Sequence, residues 1–172
     1  VVLEFADLTA WRFLADAPLA LAALHLSWRW QFRKSVHARL VAMLHIACLW
    51  LGIAMTLYTL QSLGLLMAGT DYFGRAPLHA LGLGFFTGMI VAMASRVILG
   101  HSGRAVAADA LTWVALLGVN VATALRIAAE FLQAGHAVLN LLAAAVWLAF
   151  LLPWVLRYAP LTLRSRVDNQ PG

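Results

Sequence analysis

Residues 40–60 read LVAMLHIACLWLGIAMTLYTL, a continuous stretch without Asp, Glu, Lys or Arg. An α-helix needs about 20 apolar residues to cross the ~30 Å hydrocarbon core of a bilayer. Lipid cannot satisfy free backbone polar groups, and an unbroken apolar run lacks the alternating pattern of a membrane β-barrel. The stretch therefore predicts a transmembrane α-helix.

Similar apolar stretches follow along the chain at residues 77–99, 105–127 and 137–158. A further helix is expected before Trp28, but Arg12, Asp16 and Pro18 interrupt its pattern, so it begins near Thr9 or enters as a short broken helix. The sequence predicts an all-α, polytopic transmembrane helix bundle of about five spans in one unit, residues 1–160. Residues 161–172 are predicted to form a polar, disordered tail.

The composition agrees with a membrane protein. The chain is 63% hydrophobic and 11% charged, whereas a soluble domain is roughly 45–50% apolar and about 25% charged. The formal charge of +5 is spread between hydrophobic segments and forms no patch, which argues against nucleic acid as a partner. The expected partner is the lipid bilayer.

The basic residues fall mainly on one side of the predicted bundle. Cytoplasmic loops are enriched in Lys and Arg, so the richer side is expected to be cytoplasmic, with the carboxyl end on it, in a bacterial inner membrane. That side carries Arg29, Arg33, Lys34, Arg39, Arg96, Arg104, Arg157, Arg164 and Arg166, and the other carries Arg12, Arg75 and Arg126.

Six histidines in so apolar a chain point to metal chemistry, because imidazole is a common ligand of haem iron and copper. His79 and His101 are separated by about 33 Å along one predicted helix, so they cannot bind one metal ion. His45 lies inside a span and is a functional candidate on that ground. His25, His37 and His136 are more simply explained as residues of the membrane interface than as metal ligands.

The span from residue 77 is rich in small and polarisable residues. Gly82, Gly84 and Gly88 allow close approach of another helix or of a flat macrocycle. Met89 and Met93 lie on one helix face, where thioethers either fill gaps or bind copper(I). Arg96 on that face either extends to the interface or pairs with Asp109 or a haem propionate.

Enzyme signatures for hydrolysis and phosphoryl transfer are absent from the sequence, including G-x-x-x-x-G-K-[ST], H-E-x-x-H and G-x-S-x-G. These two reaction classes are not expected. Whether the protein is an enzyme of another class is left open.

Several motifs resemble those of the NnrS family, polytopic bacterial membrane proteins that bind haem and copper and act in the response to nitric oxide stress. The run 99–104, LGHSGR, is similar to the central motif of that family. It is preceded by His79-Ala80-Leu81, by Met89-Ile90, and by Met93 with Arg96-Val97; Leu44-His45 with Trp50-Leu51 resembles an upstream motif. The resemblance covers residues 11–158.

The resemblance implies a piece of a larger protein. The sequence begins at Val1 rather than at an initiator Met, and the residues before the first span lack the pattern of a secretory signal. The family resemblance implies about twelve spans, so a missing amino-terminal part of the same protein is an expected partner and a source of further ligands.

The resemblance also implies cofactors and site residues. His45, His79 and His101 are the expected ligands of haem and copper, and Arg96 and Arg104 the expected partners of haem propionates; which histidine binds which metal stays open. Nitric oxide is the expected ligand, in a response to it or protection from it. The alternatives are a multi-span transporter or permease that uses intramembrane His and Arg and a purely structural membrane subunit.

Overall fold

A computed structural model describes residues 9–29, 39–164 and 166–167. This part of the chain contains five principal helices and no strand, which confirms the all-α prediction. The helices are α1 (Phe13–Arg29), α2 (Arg39–Ala68), α3 (Ala76–His101), α4 (Ala110–Phe131) and α5 (His136–Tyr158).

The five helices pack in chain order. Helix α2 lies against both α1 and α3, α3 packs on α4, and α4 packs on α5. Short connectors reverse the chain between α2 and α5, so alternate connectors meet at one end of the bundle. We call the end that holds Arg39, Arg96 and Arg157 the basic end, and the opposite end, with Arg75 and Glu130, the Glu130 end.

Four helices in the described ranges are long and apolar enough to cross a membrane: α2, α3, α4 and α5 with its extension to Thr162. The chain is a multi-pass membrane protein by this criterion. Helix α1 has 17 residues and continues through Pro18 after a short 3-10 turn, Thr9–Trp11. The long helix expected before Trp28 is therefore present, while its role as a fifth span stays a prediction.

The helix boundaries differ clearly from the predicted spans at three places, one of which is the end of α4 at Phe131 rather than at residue 127. Helix α2 extends to Ala68, beyond the predicted end at residue 60. Helix α4 begins at Ala110 rather than at residue 105, because the Asp109 side chain accepts a hydrogen bond from the Thr112 amide and caps the helix. The residues between α3 and α4 therefore form a connector at the basic end.

The first residues of the predicted tail contact the helix bundle. Leu161 packs against the apolar core, and the Val167 amide donates a hydrogen bond to the Ser102 carbonyl at 3.1 Å. Residues 168–172 lie outside the described residues, so the predicted disorder there stays a prediction.

Buried side chains form two apolar clusters. One includes Met43, Val91, Leu116 and Trp154 and joins α2, α3, α4 and α5. The other contains Ala20, Ala54, Met55 and Ala80 and lies between α1, α2 and α3. Large side chains on the outside are also apolar, including Leu21, Ile90, Leu117, Leu141 and Leu156. This outer surface suits contact with lipid tails rather than with water.

Candidate functional site

A π-helical segment, Ala80–Thr87, interrupts α3 directly after His79. Its wider turn is seen in the Thr87 hydroxyl, which donates to the Gly82 carbonyl five residues earlier. Gly84 lies in this segment with no room for a side chain, since a Cβ there would be 2.5 Å from the Trp50 ring. Such π segments are frequent at functional sites because they redirect neighbouring side chains.

His79 is held at the Glu130 end by an acidic partner. Pro77 lies at the start of α3 and places His79 in the first turn, where the residue is only 9% exposed. Its Nε2 lies 3.5 Å from Oε1 of Glu130, which is near the end of α4. The second oxygen, Oε2, accepts a hydrogen bond from the Arg75 amide at 3.0 Å. The carboxylate thus joins the start of α3 to α4.

The turn before α3 allows this contact. Gly74 has φ +50°, a conformation that residues with a Cβ rarely adopt. A Cβ at this position would also be 2.6 Å from Glu130 Oε2. Glycine is required here for both reasons, and it lets the carboxylate reach the backbone.

Arg126 and Asn140 form a second polar contact near the Glu130 end. The Arg126 Nη1 donates to the Asn140 Oδ1 at 2.8 Å and joins α4 to α5. Arg126 also lines a largely apolar cavity of about 450 Å³ with Leu83 and Trp147. The Trp147 Nε1 is buried and has no hydrogen-bond partner among the described residues. Arg126 and Asn140 thus place polar groups between α4 and α5 in this half of the bundle.

Glu130 and Arg126 belong to this site, although the sequence pattern did not single them out. The predicted span, residues 105–127, includes Arg126 but not Glu130, whereas α4 continues to Phe131 and includes both. A spacing of four residues places both on one helix face. That spacing in an apolar helix is the signal that could have identified them.

His45 faces a different cavity nearer the basic end. The residue is 8% exposed and lies in the second turn of α2. It lines an apolar cavity of about 410 Å³ between α1 and α2, together with Leu24, Ser27, Trp28, Ile46 and Leu49. An imidazole on the wall of an apolar cavity is a suitable ligand position for a bound metal macrocycle.

The remaining predicted site residues lie at the basic end. His101 and Arg96 are both exposed there. Arg104 is half-buried, and its Nη1 is buried without a hydrogen-bond partner in the part of the chain that the structure describes. Its position follows from the end of α3, where Gly103 has φ +70° and the Arg104 amide donates to the Leu99 carbonyl.

The structure separates the predicted ligands rather than gathering them. His79 and His101 lie at opposite ends of α3, as their spacing requires, and His45 belongs to another helix and another cavity. Within the described ranges, no three His, Cys, Asp or Glu side chains lie together as a metal-binding group.

The other histidines lie away from these cavities where they are described. His25 and His136 are exposed, and the His136 Nδ1 lies 2.9 Å from the Ala129 carbonyl oxygen. His37 lies outside the described residues.

Asp109 is the acidic group of the basic end. Partial burial raises its pKa, but hydrogen bonds from the Thr112 hydroxyl and amide and the nearby Arg157 charge outweigh burial, so the pKa lies below the ordinary value. The Arg157 Nη2 is 3.2 Å from Asp109 Oδ2. The Tyr158 hydroxyl lies 2.8 Å from the Thr112 hydroxyl and extends the network.

Asp71 has a similar role in the connector before α3. Burial raises its pKa, but hydrogen bonds from the Gln61 side chain and from the Phe73 and Gly74 amides lower the pKa by more, so the net change is a decrease. These bonds fix the conformation of the connector, in which Gly74 lies next to the Glu130 carboxylate.

Comparisons with known proteins agree with the motifs. No curated protein and no solved structure matches the chain. The family model described as "NnrS protein" matches residues 1–166. A match over nearly the whole chain, together with a helical membrane bundle, shows that this protein belongs to the NnrS family.

Proposed function

We propose that the protein binds haem and copper in the membrane and acts in the response to, or protection from, nitric oxide. Family membership supports this role. The structural observation that carries it is the buried His45 imidazole on the wall of an apolar cavity of about 410 Å³. Apart from Ser27 and the imidazole itself, that cavity is lined by apolar and aromatic side chains.

The residues around His45 fit haem. An imidazole nitrogen is a common axial ligand of haem iron, and an apolar wall excludes water from the macrocycle. Bound haem iron supplies a coordination position at which nitric oxide can bind. Arg104 does not line this cavity, but its Nη1 is buried with no partner among the described residues, and it is our candidate for binding a carboxylate such as a propionate.

His79 is our candidate for the copper ligand of this chain. A metal-binding histidine commonly has a carboxylate partner that fixes its orientation, and Glu130 Oε1 lies 3.5 Å from the His79 Nε2. The Nδ1 of His79 is then the nitrogen available for a metal. His101 is exposed, so any metal bound there needs ligands from outside the described residues.

The basic end is proposed to face the cytoplasm of a bacterial inner membrane, because cytoplasmic ends are enriched in Arg and Lys. The test uses single cysteines in a Cys48→Ser background and a membrane-impermeant maleimide. We expect Thr70→Cys to react in spheroplasts and Ala105→Cys only after permeabilisation. The reverse pattern would invert the orientation.

Optical spectroscopy of the purified full-length protein tests the haem proposal. We expect a Soret band that is lost in His45→Ala and retained in His25→Ala, since His25 is exposed and does not line the cavity. Equal yield and thermal stability of the two variants would exclude misfolding as the cause. A Soret band of full intensity in His45→Ala would overturn the assignment.

A transporter is the second candidate, and the polar Glu130 end favours it. Arg126 lines an apolar cavity between α3, α4 and α5, and intramembrane ionisable groups often mark a substrate or proton path. A colourless, metal-free preparation would support this alternative. Uptake into proteoliposomes that is lost in Arg126→Gln would then identify the path.

A further inference from the structure

A cavity at the basic end lies outside the two histidine sites. It has a volume of about 500 Å³ and is formed by the start of α2, the last part of α3 and the connector before α4. The lining residues are Arg39, Leu40, Val41, Arg96, Val106, Ala107 and Ala108. Two guanidinium groups from different helices therefore line a cavity whose other residues are apolar.

Neither arginine is paired with an acidic residue in the part of the chain that the structure describes. Within the described ranges, no salt bridge or hydrogen bond is formed by the Arg39 or Arg96 side chain. Asp109 is the one described carboxylate at the basic end, and it is already paired with Arg157 and Thr112. Both arginines are exposed and line one cavity, an arrangement that favours the binding of an anion.

The position of the cavity restricts the kind of anion. Arg39 is the first residue of α2, and Arg96 lies about 7.5 Å before the end of α3 at 1.5 Å per residue. A long arginine side chain at this depth extends to the level of the lipid head groups. The cavity is thus at the height where phosphate groups of one leaflet lie.

The walls of the cavity suit the remainder of a phospholipid. Leu40 and Ala108 are buried in the apolar core, whereas Val41 and Val106 are exposed on the outside of the bundle. An apolar surface next to the guanidinium groups can contact the glycerol backbone and the first acyl carbons. Basic cavities between helices at the cytoplasmic side are known to bind acidic lipid head groups.

Haem fits this cavity poorly. No histidine, cysteine or methionine lines it, so a macrocycle there would have no axial ligand from the described chain. Arg96 could instead contact a propionate of a haem bound in the His45 cavity. Optical spectra of Arg96 variants distinguish these two ligands, because only loss of haem would change the Soret band.

We propose that Arg39 and Arg96 form a binding site for the phosphate groups of an anionic phospholipid at the basic end. The guanidinium groups bind the phosphate oxygens in a bidentate manner, and the net charge of the pair favours anionic cardiolipin or phosphatidylglycerol over zwitterionic phosphatidylcholine. This proposal does not depend on haem or copper binding.

Native mass spectrometry of the purified full-length protein tests the site, with cardiolipin as the probe and phosphatidylcholine as the reference lipid. We expect Arg39→Gln/Arg96→Gln to bind cardiolipin roughly tenfold or more weakly. The matched control is Arg29→Gln/Arg164→Gln, which removes the same charge from exposed positions outside the cavity. The control is expected to bind cardiolipin almost as well as the unmodified protein.

Each outcome separates a specific lipid site from general charge attraction or from a contact with haem. An equal loss in both double variants would show only general charge attraction and would overturn the proposal, as would unchanged binding in both. Loss of the Soret band in Arg96→Gln with normal cardiolipin binding would assign Arg96 to a propionate instead. Arg96→Lys keeps the charge but not the bidentate geometry, so weakened cardiolipin binding at unchanged thermal stability would support direct contact.

Discussion

Nε2 of His79, in the first turn of α3, lies 3.5 Å from Oε1 of Glu130, in the last turn of α4. Both side chains are largely buried, and the other carboxylate oxygen binds the backbone amide of Arg75. This contact occupies the Nε2 edge of the imidazole, and the proposed copper site uses Nδ1. The contact also joins the consecutive helices α3 and α4 through two residues that are far apart in the chain.

Replacement of Glu130 by Gln is expected to weaken copper binding about 10- to 100-fold, because the amide orients His79 less strongly and adds no negative charge. A competition titration with a copper chelator measures this change in the purified protein. Asp71→Asn is the control, since Asp71 is at the same end but bonds Gln61 and the connector. Equal copper affinity in Glu130→Gln and the unmodified protein would contradict the role given to Glu130.

Replacement of Gly84 by Ala is expected to lower the free energy of unfolding by about 1–3 kcal/mol, because the new methyl group overlaps the Trp50 ring. The same change at Gly82 meets no atom within 4 Å. We expect Gly82→Ala to leave the stability unchanged or slightly raised. Thermal unfolding in detergent compares the two variants, and a larger loss in Gly82→Ala would refute the packing argument.

Two tryptophans provide a matched test of buried hydrogen bonding. The Trp154 Nε1 donates to the Ser95 hydroxyl at 2.9 Å, so Trp154→Phe should destabilise the protein by about 1–3 kcal/mol through the lost bond and lost volume. The Trp147 Nε1 is buried without a partner among the described residues. Trp147→Phe removes that unsatisfied donor, so it should lower the free energy of unfolding clearly less than Trp154→Phe does. Unfolding of both variants is followed by near-ultraviolet circular dichroism.

Asp109 is expected to make the stability dependent on pH at the acidic side. Its folded-state pKa lies below the ordinary value, so the ionised group stabilises the folded state above about pH 4, the pKa in the unfolded chain. This contribution is lost as the pH falls through the lowered folded-state pKa.

The matched variant is Asp109→Asn, since asparagine can still cap α4 but carries no charge. The difference in melting temperature between this variant and the unmodified protein should be largest near neutral pH and should narrow below about pH 4. A difference that stays constant over the acidic range would show that the charge of Asp109 is not involved.

The helical membrane class and the positions of the main spans follow from hydropathy along the chain alone. Runs such as residues 40–60 are informative because lipid requires every backbone polar group to bond within its own segment. The motifs around His79, His101 and Arg104 also indicated the NnrS family, which the family model confirms. These features are local in the sequence and need no knowledge of packing.

The contacts between side chains of different helices could not be predicted in this way and are known from the folded structure. The His79–Glu130 contact, the Trp50–Asn120 hydrogen bond and the Arg39–Arg96 cavity each join residues far apart in the chain. The predicted span 105–127 ended before Glu130, whereas α4 continues to Phe131. Hydropathy also shows where a span lies but not how each helix is rotated. The rotation and pairing of helices depend on side-chain packing between them. That packing brings polar residues from different helices to the walls of distinct cavities.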